Sequence, residues 1–162
     1  MALRNANTKI VSIDTSQEYV DHLSSEIKIL KLPIENVNFQ VVEIGPTGWW
    51  GMPLDNSQVD KFPNYQKVPF ELIKKIDFVP DLVFIAGRFR VATFLSTILN
   101  CPGATIIFDD YYERPQYFEV ENISPLSAKC GRLAVFLAPG NLTAVQVQKI
   151  DELTQKYISD PN

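Results

Sequence analysis

Histidine is nearly absent from this sequence: His22 serves all 162 residues. With no second histidine and no G-x-S-x-G turn, zinc sites and hydrolase triads both lose support. His22 itself falls mid-helix and reads as a solvated or locally hydrogen-bonded side chain. Cysteine is equally scarce. Cys101 and Cys130 are far apart and show no C-x-x-C spacing, so both read as reduced, core-type thiols. No apolar run approaches the roughly 18 residues that a membrane-spanning helix needs, and the N-terminus lacks the apolar core of a signal peptide. Basic charge is not in excess either. The net charge of −4 argues against nucleic acid and anionic membranes as partners, since both select basic surfaces. A cytoplasmic protein is expected. Glycine is sparse at the front of the chain: the first is Gly45.

What is present is ordinary globular composition, 46% hydrophobic and 21% charged, in a chain long enough for one domain over residues 1–162. Short apolar runs alternate with helical patterns. Strands are expected at Lys9–Asp14, Asn36–Ile44, Asp81–Ala86, Ala104–Phe108 and Arg132–Ala138. A helix should open at Thr15, with Glu18 completing a capping box, and turn Tyr19, Leu23, Ile27 and Leu30 to one face. Further helices are expected around Phe70–Ile76, from Val91 to Ile98, from Pro115 to about Ile123, and from Thr143 to Tyr157. Strands without polar alternation, separated by helices, predict an α/β fold with a parallel or mostly parallel sheet covered on both faces.

Such folds bind ligands outside the carboxyl ends of their strands. The stretch "FDDYYERPQY" (108–117) follows directly on an apolar run, which places Asp109 and Asp110 at such an end. Neighbouring residues of a regular strand point to opposite faces. The two acids therefore share a site only if the strand breaks at Phe108. Two readings remain open: at least one faces a ligand or a metal, or one caps the turn while the other pairs with a base such as Arg114. The metal is unknown, because Mg or Ca takes about six ligands and this stretch alone does not supply them. Asp14 ends the first run, where an acid either accepts from ribose hydroxyls or interacts with a helix dipole. Arg88 and Arg90 flank Phe89 just beyond a strand and either bind an anion or pair with Asp109, Asp110 or Glu113. Trp49 and Trp50 lie in a long Gly- and Pro-containing connector and either stack on a substrate ring or cover a sheet edge.

Four stretches together carry a resemblance: "IGPTGWWGMPLD" (44–55), "IAGRFRVA" (85–92), "IIFDDYYERPQYFEV" (106–120) and "GRLAVF" (131–136). In order and spacing they resemble small bacterial proteins of the class I S-adenosylmethionine-dependent methyltransferase superfamily. The resemblance runs from about Lys9 to Phe136 and implies a doubly wound, mostly parallel Rossmann-like sheet. It implies cofactor contacts at Asp14 and Gly87. Asp109, Asp110 and Arg114 would be catalytic in orienting the acceptor, with Trp50, Arg88, Arg90, Tyr111 and Tyr117 as substrate-binding candidates. The acceptor would be a small molecule or glycan precursor. Two departures stand out. The family's first strand and glycine-rich loop have no counterpart before Gly45, and Ala86 stands where the family pattern has an acid. The expectation is a methyltransferase-like domain in which S-adenosylmethionine, bound by intact homologues, binds weakly or not at all. The alternative is a non-catalytic, degenerate or N-terminally truncated Rossmann-like domain with a structural or ligand-binding role. The slot of the absent strand must be closed by direct pairing of its two neighbours, by the N-terminal residues, or by a second copy. A homodimer is therefore expected.

Overall fold

The computed structural model describes residues 8–162, in two compact units that meet in sequence at Asn64 and Tyr65. The expectations for Ala2 to Asn7, as a helix tail and a poor central strand, lie outside the described residues. Among the described residues no helix is long and apolar enough to cross a membrane.

The first unit is built on two parallel strands, β1 (Ile10–Asp14) and β2 (Val37–Val41), in register from Ile10↔Val37 to Asp14↔Val41. Between them runs α1 (Gln17–Ile29). Its N-cap is Ser16, one residue later than expected: the Ser16 side chain accepts from the Tyr19 N–H at 3.1 Å. Asp14 delays the start by accepting the Ser16 N–H at 2.8 Å, a local turn that competes with helix. The inward stripe is also rotated. Val20 is buried and Ile27 half-buried, whereas Tyr19 and Leu30 are exposed. Periodicity located the helix but not the face that meets the strands. Farther on, a Thr47–Pro53 bridge closes a small loop carrying Trp49 and Trp50, 88% and 84% exposed. Trp50 takes a left-handed backbone, φ 59°.

The second unit contains α2 (Asn64–Lys75, entering from the first unit's last residue), β3 (Leu82–Ile85), α3 (Arg90–Asn100), β4 (Thr105–Phe108), β5 (Ala128–Cys130), β6 (Leu133–Leu137) and α4 (Ala144–Tyr157). Its four strands run in the order β3-β4-β6-β5. Only β3 and β4 are parallel; β6 is antiparallel to both β4 and β5. The mostly parallel sheet expected from sequence is thus mixed. A tight hairpin is the cause: Cys130 pairs with Leu133 across Gly131 and Arg132, and Gly131 supplies the positive φ of 58° that such a turn uses. The direct pairing foreseen between the strands ending at Asp14 and at Ala86 is not among the ladders of the described residues; β1 and β3 belong to different sheets. Cys130 is exposed on β5, so the core-type reading holds for Cys101 alone.

The segment after Pro115 is a 3-10 helix (Pro115–Asn122). Tyr117, Val120 and Ile123 are buried at spacings of three, the repeat that puts side chains on one face of a 3-10 helix. They join Ile85, Phe94, Ile106, Phe108, Phe136, Ile150 and Leu153 in one core. Phe94 meets Phe136 edge-on at 5.1 Å and Phe108 at 6.0 Å. Alternation along the strands puts Ile85, Ile106, Phe108, Ala134 and Phe136 into that core. On the opposite face Leu82, Phe84 and Leu137 are more than half exposed.

Candidate functional site

Because β3 and β4 are parallel, with Ile85 opposite Phe108, the turns that follow them lie at the same end of the sheet. Gly87, Arg88, Asp109 and Asp110 therefore share one edge of the second unit, as the sequence suggested. Asp14 ends a strand of the first unit.

Both turns contain a non-glycine residue in the left-handed region: Phe89 at φ 52° and Asp110 at φ 55°. Such a conformation costs on the order of 1–3 kcal/mol per residue, least for Asp, and persists where the surroundings enforce it. Arg90 supplies much of that enforcement. Its Nε donates to the Gly87 carbonyl at 2.9 Å and its Nη2 to that of Ala86 at 3.1 Å. Nη1 donates to the Asp109 carbonyl at 3.2 Å, and Nη2 pairs with Asp110 Oδ2 at 3.1 Å. One buried guanidinium thus ties the β3 turn to the β4 turn. Phe89 is fully buried, its ring 5.5 Å from that of Tyr65.

The strand does break at Phe108, and the two acids converge. Asp109, 6% exposed, accepts from the Asp110 N–H at 3.0 Å. Arg132 meets it side-on, Nε to Oδ1 at 2.8 Å and Nη2 to Oδ2 at 3.0 Å, and reaches Asp110 Oδ1 at 3.4 Å. The partners of the acids are Arg90 and Arg132, not Arg114. Arg132 went unassigned in the sequence; its only signal is its place in "GRLAVF", where the β5–β6 hairpin delivers it to the end of β4. Among the described residues no group of three or more His, Cys, Asp and Glu could hold a metal ion.

Arg114 donates to the Tyr117 hydroxyl at 3.3 Å and has no carboxylate within ion-pair distance among the described residues. Arg88 likewise has none, and its Nε is buried without a hydrogen-bond partner. Burial lowers the Arg88 pKa, and the charges of Arg90 and Arg114 lower it further. Tyr117 and Tyr111 are fully buried. The Tyr111 hydroxyl donates to Glu121 at 3.0 Å, and burial with that bond pushes its pKa far up, so it stays a neutral phenol. Trp50 belongs to the first unit.

Asp14 has Oδ1 engaged by Ser16. At Gly87, a Cβ would collide with the Tyr65 hydroxyl, so the space freed by glycine is already used within the chain.

No family model matches the chain, and no curated protein does. A solved structure does. The crystal structure of a methyltransferase-like protein from Silicibacter pomeroyi matches with a TM-score of 0.76 at 26% identity, over 93% of this chain and 76% of that one. The fold is methyltransferase-like. That likeness gives the edge at Gly87, Asp109 and Asp110 its context: the position where this architecture binds ligands.

Proposed function

We propose that the chain is a domain related to S-adenosylmethionine-dependent methyltransferases that act on a small molecule or glycan precursor. The observation that carries this reading is the likeness to the methyltransferase-like protein over 93% of the chain. Asp109, Asp110 and Arg114 stand on the ligand side of the second unit. Methyl transfer requires chiefly alignment of acceptor and donor. In this reading the Arg90–Asp110 and Arg132–Asp109 pairs hold the turns at the strand ends, and the exposed side of Arg132 and the free guanidiniums meet the acceptor.

For the chain itself, binding without catalysis is the reading that the local geometry favours. The Tyr65 hydroxyl fills the Gly87 space, Ser16 engages Asp14, and Ala86 brings no acid to the strand end. These support weak or absent binding of S-adenosylmethionine. Isothermal titration with S-adenosylmethionine and S-adenosylhomocysteine is the test: no heat, or a weak isotherm, is expected. Micromolar affinity would overturn the expectation of weak or absent binding. A homodimer is also proposed, supported by β3 pairing on one side only among the described residues and by exposed Leu82 and Phe84. Light scattering that returns a monomer would remove it.

A further inference from the structure

Four arginines stand at or near the strand ends of the second unit, and they divide evenly. Arg90 and Arg132 are matched by Asp110 and Asp109. Arg88 and Arg114 are matched by no carboxylate among the described residues. Asp109 and Asp110 are already claimed, and Glu113 pairs with neither.

We propose that Arg88 and Arg114 form a binding site for the phosphate group of a small ligand. The inference rests on the reading above only in taking this edge as the ligand side. A solvated surface arginine needs no counter-ion, but Arg88 is not one. It is half-buried, its Nε is sealed from water with no acceptor, and the neighbouring charges of Arg90 and Arg114 repel it. An atom closed to water is closed to a ligand too, so a bound anion would meet the Arg88 Nη groups, which no ion pair holds among the described residues. Arg114 is steadied for the same task. Its guanidinium lies 5.8 Å from the centre of the Tyr117 ring while Nη1 donates to that hydroxyl, which orders a long side chain before any ligand arrives. Tyr117 is therefore a positioning residue.

Charge selects the ligand class. Two uncompensated guanidiniums match a dianion, and a monocarboxylate would balance only one of them. Guanidinium forks also suit the oxygens of phosphate. The net charge of −4 for the whole chain disfavours a polyanion such as nucleic acid, which leaves a small phosphorylated molecule.

The test titrates the full chain with inorganic phosphate and with phenyl phosphate, following the arginine Nε–Hε resonances by NMR. Saturable shifts of Arg88 and Arg114, with Arg90 unmoved, are expected in the millimolar range or below. Tighter binding of phenyl phosphate assigns the site to monoesters, and tighter binding of inorganic phosphate assigns it to the free ion. Arg88→Lys and Arg114→Lys should each weaken binding about tenfold by losing a charge-assisted fork, and Arg88→Gln more. Lys149→Gln, on α4, should change nothing. Circular dichroism establishes that each variant is folded. Absence of saturable shifts, equal shifts with acetate, or unchanged affinity in folded Arg88→Gln would overturn the proposal. S-adenosylmethionine titrated into the same sample separates the two readings. Phosphate binding without it leaves the anion site standing, and its binding without phosphate removes the anion site alone.

Discussion

The two units solve the same problem, two parallel strands flanked by helices, with different resources. In the first, the buried hydrophobic side chains among the described residues are Val20, Val42, Ile44 and Phe62, and its most conspicuous apolar residues, Trp49 and Trp50, are in solvent. The second stacks Phe94, Phe108, Tyr111, Tyr117 and Phe136 ring against ring inside a four-stranded sheet. Left-handed non-glycine backbone occurs in both units, at Lys31 and Trp50 in the first and at Asp77, Phe89 and Asp110 in the second, but its support differs. The left-handed Phe89 and Asp110 stand on the second unit's core and are cross-linked by Arg90. Trp50, equally left-handed, has no comparable packing.

The sharpest way to break this contrast is to remove one core ring. Phe94→Ala should cost about 3–5 kcal/mol in denaturant unfolding. Val20→Ala in the first unit should cost about 1 kcal/mol. Equal losses would mean that the second unit's core is not the main source of stability.

Within the second unit the matched and unmatched arginines give the next largest effect. Arg90→Gln strands the buried Asp109 carbonyl, loses the bonds to the Ala86 and Gly87 carbonyls and breaks the pair with Asp110, and should cost about 3 kcal/mol. Arg88→Gln removes a charge that has no partner and should stay within about 0.5 kcal/mol of the parent. A large loss at Arg88 would show that it has a structural partner after all.

Thiol labelling probes the same unit at its edge and its centre. Cys130 on the exposed β5 should react promptly with an aromatic disulfide reagent. Cys101 is buried and its pKa is raised, chiefly by burial, so it should react many times more slowly and only with unfolding. Two fast thiols per chain would contradict the placement of Cys101.

The smallest effect is electrostatic. Lys156 hydrogen-bonds Glu119 and holds that carboxyl below its ordinary value of 4.5. A depressed folded pKa contributes stability that is full above the unfolded value and is lost as pH falls through the folded one. Lys156→Gln should therefore slightly lower the melting temperature near neutral pH, and the difference should vanish in acid. A difference that persists in acid would assign the effect to packing of the lysine stem.

The order of strands and helices was legible from the sequence because it depends on local patterns. Unalternating apolar runs marked β1, β3, β4 and β6, and the expected helix from Thr143 to Tyr157 is α4 with Thr143 as its N-cap. Proximity of Gly87 to Asp109 and Asp110 was legible too, since parallel strands bring their carboxyl ends to one edge. The sequence did not reveal which arginine each acid would take. Asp109 is five residues from Arg114 but pairs with Arg132, twenty-three residues away, because the β5–β6 hairpin turns antiparallel onto β4. Nor could it show that the Tyr65 hydroxyl occupies the space beside Gly87. Partner choice for a charge or a vacant Cβ depends on distances across the fold, and only the packed second unit sets those distances.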